Sequence, residues 1–358
     1  GNRSDQAYTG SPGNFGLVIK QPRSRSALQL GLTPQSSKAF LVSRTTADTT
    51  LGNLNERYEG SGGLARAYLG AAHGWRGRNW VSAGADSVLI SSNGLDVGGQ
   101  FDHWFGDAIQ TSTLDIEDIS FRDVRTTISS RHRATGTIVG VEAFQVLYTK
   151  YDASKQFLGS LVFRLGGTWS PERTIETDYF RLVESTLIVN NVVTGIDTSA
   201  FDEADIQGAI PSKWTLGGGL QWDGPRGNRF GLFADWKRQE WTQTQTSLSY
   251  LMDVSGQWQD ASSMALGVLW TPGRKPGRIS RPTYRAGYSQ SMLSTSLISS
   301  ADGQSYPLLE QRLSFGFNSP LKGSRSASQF HFGMDFGRRY TEQESNHQEI
   351  NFRLHLGV

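Results

Sequence analysis

Apolar and polar residues alternate with period two through much of the chain, most cleanly between residues 212 and 241. Trp214, Leu216, Gly218, Leu220 and Trp222 fall on one side of an extended strand, and Lys213, Thr215, Gly217, Gly219, Gln221 and Asp223 on the other. Successive side chains of a strand point to opposite faces, so this is a strand signal. After the turn residues Gly224-Pro225-Arg226-Gly227-Asn228, Phe230, Leu232, Ala234 and Trp236 group together opposite Arg229, Gly231, Asp235 and Lys237. The stretch predicts a hairpin.

The last third repeats the pattern. Ile350, Phe352, Leu354 and Leu356 share a face, as do Phe330, Phe332, Met334 and Phe336, then Leu313, Phe315 and Phe317, then Tyr284, Ala286 and Tyr288. Further back, Leu28, Leu30 and Leu32 form one face. Phe157, Leu161, Phe163, Leu165 and Trp169 form another, and Ile138, Phe144, Val146 and Tyr148 a third. Compact connectors such as TPGRKPGR and NSPLKGSRS alternate with longer polar ones such as SLISSADGQSYP and YTEQESNHQE. Short turns at one end and longer loops at the other characterise outer-membrane barrels. Residues 111–133 are charged and fit a loop, an extension beyond the membrane or a short helix. Residues 186–210 are expected to run from one strand through an acidic loop into the next.

A soluble sandwich also alternates, so the energy of the polar faces decides. Lys or Arg facing hydrocarbon near the midplane costs roughly 2 to 4 kcal/mol each. Turned inward, the same residues are solvated, and the outward face is left to Trp, Phe, Leu, Tyr, Met and Ala. A closed barrel also pairs the backbone groups that lipid cannot satisfy. The expected fold is therefore all-β, a transmembrane antiparallel up-and-down barrel of about 14 strands, multi-pass in a bacterial outer membrane, forming one domain over 1–358. Trp214, Trp222, Trp236, Trp241, Trp270 and Tyr284 lie at strand ends, where interfacial aromatic girdles are expected. Glu142, Arg164, Asp223, Asp235, Arg285, Arg312, His331, Asp335, Arg353 and His355 fall on the inward face as lumen candidates. Their mixed signs suggest salt-bridge networks rather than a selective ion ring.

Composition agrees with a barrel. The mean hydropathy is −0.41 despite 18 Phe, 11 Tyr and 10 Trp, and 41 glycines are spread along the chain. No apolar run reaches the roughly 18 residues of a membrane helix. The net charge of +2, from 35 basic and 33 acidic residues, argues against a nucleic-acid partner. With no cysteine, disulfides, thiolate metal sites and cysteine nucleophiles are excluded. The six histidines show no metal-protease spacing, and no nucleophile elbow or phosphate-binding loop occurs. No enzyme activity, cofactor or metal is expected. The acidic segment DIEDISFRD lacks the calcium-loop pattern. His331 and His355, on the inward faces of neighbouring strands, are within range of approaching each other, but they are read first as solvated lumen histidines.

Four stretches carry a family resemblance. FGLVIKQPRSRSALQLGLTPQSS (15–37), RYEGSGGLARAYLGAAHGW (57–75), AIPSKWTLGGGLQW (209–222) and RLSFGFNSPLKGSRSASQFHFGMDFGRR (312–339) resemble segments of FadL-type outer-membrane proteins. The resemblance implies a 14-stranded barrel that passes fatty-acid-like or other hydrophobic molecules. In other members it implies a subunit of an assembly with further barrels or lipoproteins. Outer-membrane lipid is the expected surroundings. The family's hatch segment with its Asn-Pro-Ala motif does not occur in these residues, and the last residue is Val358 rather than an aromatic. A barrel without a hatch is therefore expected.

Overall fold

Extended backbone is what the alternation dictates, and the computed structural model is strand almost throughout. It describes residues 4–6, 14–20, 24–48, 50–84, 86–116, 121–189, 192–244, 258–273, 281–298, 303–320, 329–341 and 348–357. The strands are β1 (Ser4–Gln6), β2 (Phe15–Lys20), β3 (Ser26–Ser37), β4 (Phe40–Asp48), β5 (Gly52–Ala83), β6 (Asp86–Ile116), β7 (Asp123–Tyr151), β8 (Phe157–Ser170) and β9 (Arg173–Val189). They continue with β10 (Val192–Ile210), β11 (Lys213–Asp223), β12 (Arg229–Gln239), β13 (Ala261–Thr271), β14 (Thr283–Ile298), β15 (Ser305–Pro320), β16 (Gln329–Thr341) and β17 (Gln348–Gly357). All join one antiparallel sheet. The protein is a transmembrane up-and-down β-barrel of the outer-membrane kind.

The aromatic pattern places that zone. Trp169 of β8 and Trp214 of β11 are directly paired, with ring centroids 5.7 Å apart, and mark its loop-side edge. At the turn-side edge Trp270 of β13 stacks on Tyr284 of β14 at 5.5 Å, beside Trp222 and Phe230. Between these edges the outward positions are apolar and exposed, as with Leu216, Leu220, Leu232, Leu266 and Val268. Glycines fill much of the inward face because their neighbours need the room. A Cβ on Gly219 would come within 2.5 Å of the Phe233 ring, and one on Gly94 within 2.3 Å of Phe144.

Three strands are far too long for a crossing. A bilayer takes about 9 to 11 tilted residues, whereas β5, β6 and β7 have 32, 31 and 29. Their surplus stands on the loop side, where the outward positions change character. On β7 they are Val139 and Val141 within the zone, then Arg133 and Arg131 beyond it. Arg131 donates to Asp107 of β6 (3.0 Å) and Arg133 to Asp178 of β9 (2.7 Å), a ladder suited to water and headgroups rather than hydrocarbon. With β4, β9 and β10 these extensions form a wall over one side of the barrel mouth. The opposite side, β12 to β17, has strands of 10 to 16 residues.

Barrel and wall meet along a line of breaks. The chain leaves the ladder between β3 and β4, between β8 and β9, and between β10 and β11. Strands β5 and β6 cross the line through Gly63 (φ +155°) and Gly106 (φ +153°), where a Cβ would strike the facing backbone at 2.3 and 2.1 Å. At this height the inner face is packed: Ala134, Ile175 and Ile210 are buried, with Trp104, Trp241 and Trp258 against them.

One open alternative is decided and three expectations change. Residues 111–116 and 123–133 are strand, the extension among the alternatives, and residues 192–210 form a strand rather than an acidic loop. A bulge between Val146 and Tyr148 splits one predicted face: Phe144 points into the lumen, whereas Tyr148 is exposed beyond the bulge. Trp241 belongs to no girdle. Strand β12 ends at Gln239, so alternation no longer governs Trp241, and it turns inward to stack on Trp258 at 4.6 Å and 10°.

In the wall, His132 shares a hydrogen bond with the buried Thr177 at 2.9 Å. Burial holds its imidazole below the ordinary value of 6.5. The neutral form is favoured in the fold, so its contribution is complete above about 6.5 and is lost as pH falls through that value toward the lower native one. Protection of the β7 and β9 amides, corrected for the intrinsic pH dependence of exchange, should fall as pH drops below about 6.5. His132→Gln should flatten that dependence, and an unchanged slope in the variant would remove His132 as its source.

Candidate functional site

Two inward features lie one above the other. In the barrel, a cavity of about 820 Å³ is lined by residues of β2, β3, β5 to β8, β11 and β12. Its wall is largely glycine and aliphatic, with Gly98, Gly140, Gly166 and Gly217 beside Ile138 and Phe233. Its polar groups are few: Gln29 donates to Gln100 at 3.1 Å, Arg164 donates to Glu142 at 2.7 Å, and Asp96, Asp235, Thr168 and Thr215 complete the set. Arg76, bonded to Asp96 at 2.8 Å, and Arg164 lie 5.0 and 5.4 Å from the Phe144 ring centroid. Phe144 is thus held between two guanidiniums, each neutralised by a carboxylate. The arrangement offers a largely apolar cavity in which the arginines are compensated by carboxylates.

Above it, at the line where barrel meets wall, Arg173 of β9 is enclosed. Its guanidinium donates to Asp102 of β6 at 2.6 Å and to Ser170 of β8 at 2.5 Å, and its Cζ lies 5.0 Å from the Trp104 ring centroid. Trp104 Nε1 donates to the same Asp102 oxygen at 2.7 Å. The two side chains are 6% and 0% exposed. Room exists because the β7–β9 ladder stops at Ala134 and the β7–β8 ladder begins at Val139, with Gly136 between. A Cβ at Gly136 would come within 2.5 Å of the guanidinium. The Trp241–Trp258 stack packs on the neighbouring Ile175 and Ile210, held by Gln259, which bonds to the carbonyls of Leu293 and Thr295 on β14. Thr242 donates to Asp260 through both its amide and its hydroxyl, which holds that carboxyl below its usual range.

The lumen candidates divide among four places. Glu142, Arg164 and Asp235 line the main cavity. Asp223 pairs with Arg229 at 2.6 Å by the β11–β12 turn, and Arg285 lines a smaller space of about 290 Å³ with Arg229 and Arg281. Arg312 and Arg339 share the Glu310 carboxylate. His355 bonds to Asp335 at 3.0 Å, while Arg353 lies opposite Asp335 and His331 opposite Asn318. The register sets His331 opposite Gly357 and His355 opposite Gly333, which makes the two histidines diagonal neighbours across the β16–β17 ladder. Among the girdle candidates Trp214, Trp222, Trp236, Trp270 and Tyr284 are exposed on the outer face. Asp102, Arg173, Arg76 and Asp96 escaped the sequence reading, which placed Phe144 only on an apolar strand face. Asp102 and Trp104 do alternate with Phe101, His103 and Phe105, which was the available signal.

Among solved structures, the chain resembles one described as "CymD monoaromatic hydrocarbon channel", with 13% identity and a TM-score of 0.45, covering 98% of this chain and 84% of that one. None of the curated proteins matches it in sequence. The BamG family model matches residues 15–358, nearly the full length, and the chain belongs to the BamG family.

Proposed function

We propose that this barrel acts without catalysis as a structural subunit of a multi-protein outer-membrane assembly, presenting its wall to a partner outside the bilayer. The observation that carries this is the surplus of β5, β6 and β7, two to three times the length of a crossing, concentrated on one side of the mouth. Ordering so much backbone beyond the membrane is costly in conformational entropy, about 1 to 2 kcal/mol per residue. A barrel needed only as a passage has no use for it. The enclosed Asp102–Arg173 pair and the Trp241–Trp258 stack, at the height where the wall begins, support the same reading.

Gentle detergent extraction followed by native mass analysis tests it. A complex of fixed stoichiometry containing this chain is the expected outcome, and a lone species of 39.4 kDa would overturn the proposal. A second reading, FadL-like passage of a hydrophobic molecule, is favoured by the apolar cavity. It predicts a lone barrel that retains a fatty-acid-sized adduct.

A further inference from the structure

Strand β10 pairs with β9 along its length, and among the described residues no ladder continues the sheet on its other side, where only the short helical turn Trp241–Thr244 approaches it. β12 pairs with β11, and β11 with β8. Among the described ladders β10 is therefore an edge of the wall, 19 residues long and outside the bilayer. Such an edge presents a row of backbone donors and acceptors that an extended chain can complete. Its exposure alternates: Phe201, Glu203, Asp205 and Gln207 are exposed on the outer face, and the residues between them are half-buried. Phe201 is 59% exposed and rests edge-on against Phe180 of β9 at 5.3 Å. Glu176 of β9 adds a third exposed carboxylate on this face, while Asp178 is matched by Arg133.

We propose that the free edge of β10 receives an extended, lysine- or arginine-bearing segment of a protein partner as an added antiparallel strand. Its apolar side chain covers Phe201, and its basic ones lie opposite Glu203 and Asp205. Two copies of β10 would instead set these carboxylates against one another, which disfavours self-pairing. The inference rests on the subunit reading and gives its partner a chemistry.

The chain contains no cysteine, so single reporters are clean. The full chain in detergent micelles, carrying Gln207→Cys or, separately, Ser199→Cys on β10, is offered a nine-residue peptide with one terminal Cys whose one face carries Lys, Lys and Val at alternate positions, to lie opposite Asp205, Glu203 and Phe201. Disulfide capture at either β10 site, but not at Thr111→Cys in the middle of the sheet, is expected. Glu203→Lys with Asp205→Lys should weaken peptide binding about tenfold or more. Equal capture of the same peptide with Glu in place of Lys, equal capture at Thr111→Cys, absence of capture, or a disulfide-linked dimer of the chain itself would each overturn the proposal. A native complex that persists undiminished in the double-Lys variant would overturn the edge while leaving the subunit reading intact.

Discussion

Replacing Arg173 with Ala should destabilise the barrel by about 3 to 5 kcal/mol, because it strands the Asp102 carboxylate in a site that water does not reach. Asp102 is wholly buried, and its Oδ2 keeps only the Trp104 indole once the guanidinium is gone. The loss arises from the uncompensated charge rather than from the attraction within the pair. Asp102→Leu combined with Arg173→Met, which removes both charges and keeps volume, should therefore recover most of the stability. Urea unfolding of the detergent-solubilised protein, with tryptophan fluorescence as readout, gives both values. If the single variant lost less than about 1 kcal/mol, the pair would be behaving like an exposed salt bridge and the junction would be wet.

The second large effect comes from the lipid face. Leu266 sits midway along β13, 52% exposed on the outward side, opposite Ala234 and Tyr288. Leu266→Arg should cost about 2 to 4 kcal/mol, since a guanidinium there meets hydrocarbon near the midplane. Its chain neighbour Ala265 faces inward, opposite Asp235. Ala265→Arg should be close to neutral, because its charge reaches water and a carboxylate. Refolding into lipid vesicles under a urea series separates the two. Equal costs would mean that neighbouring residues do not face different solvents, which contradicts a barrel in a bilayer.

That pair of neighbours shows how much was legible. Facing is a local property: a strand's side chains alternate whatever its partners are, so Leu266, Trp214 and Leu313 could be assigned outward from the order of residues alone. Alternation misleads where the ladder is interrupted. The bulge at Val146–Tyr148 reverses the parity, and Trp241 lies past the end of β12, where alternation carries no information. Composition misleads at residues 192–210, where the acidic residues suggest a loop. Outside the bilayer both strand faces tolerate charge, so acidic composition does not argue against a strand there.

The order of residues by itself determined that this chain is an antiparallel barrel with an apolar exterior, a glycine-rich interior and aromatic edges, because each strand must meet lipid on one face. Only the tertiary structure decided which inward charges meet. Arg173 and Asp102 are 71 residues apart, and their contact depends on the β6–β7 and β7–β9 registers and on the gap at Gly136. The same holds for the one-sided wall and for the free edge of β10. Strand period is written in neighbouring residues, whereas register and pairing follow from the joint closure of many distant ladders.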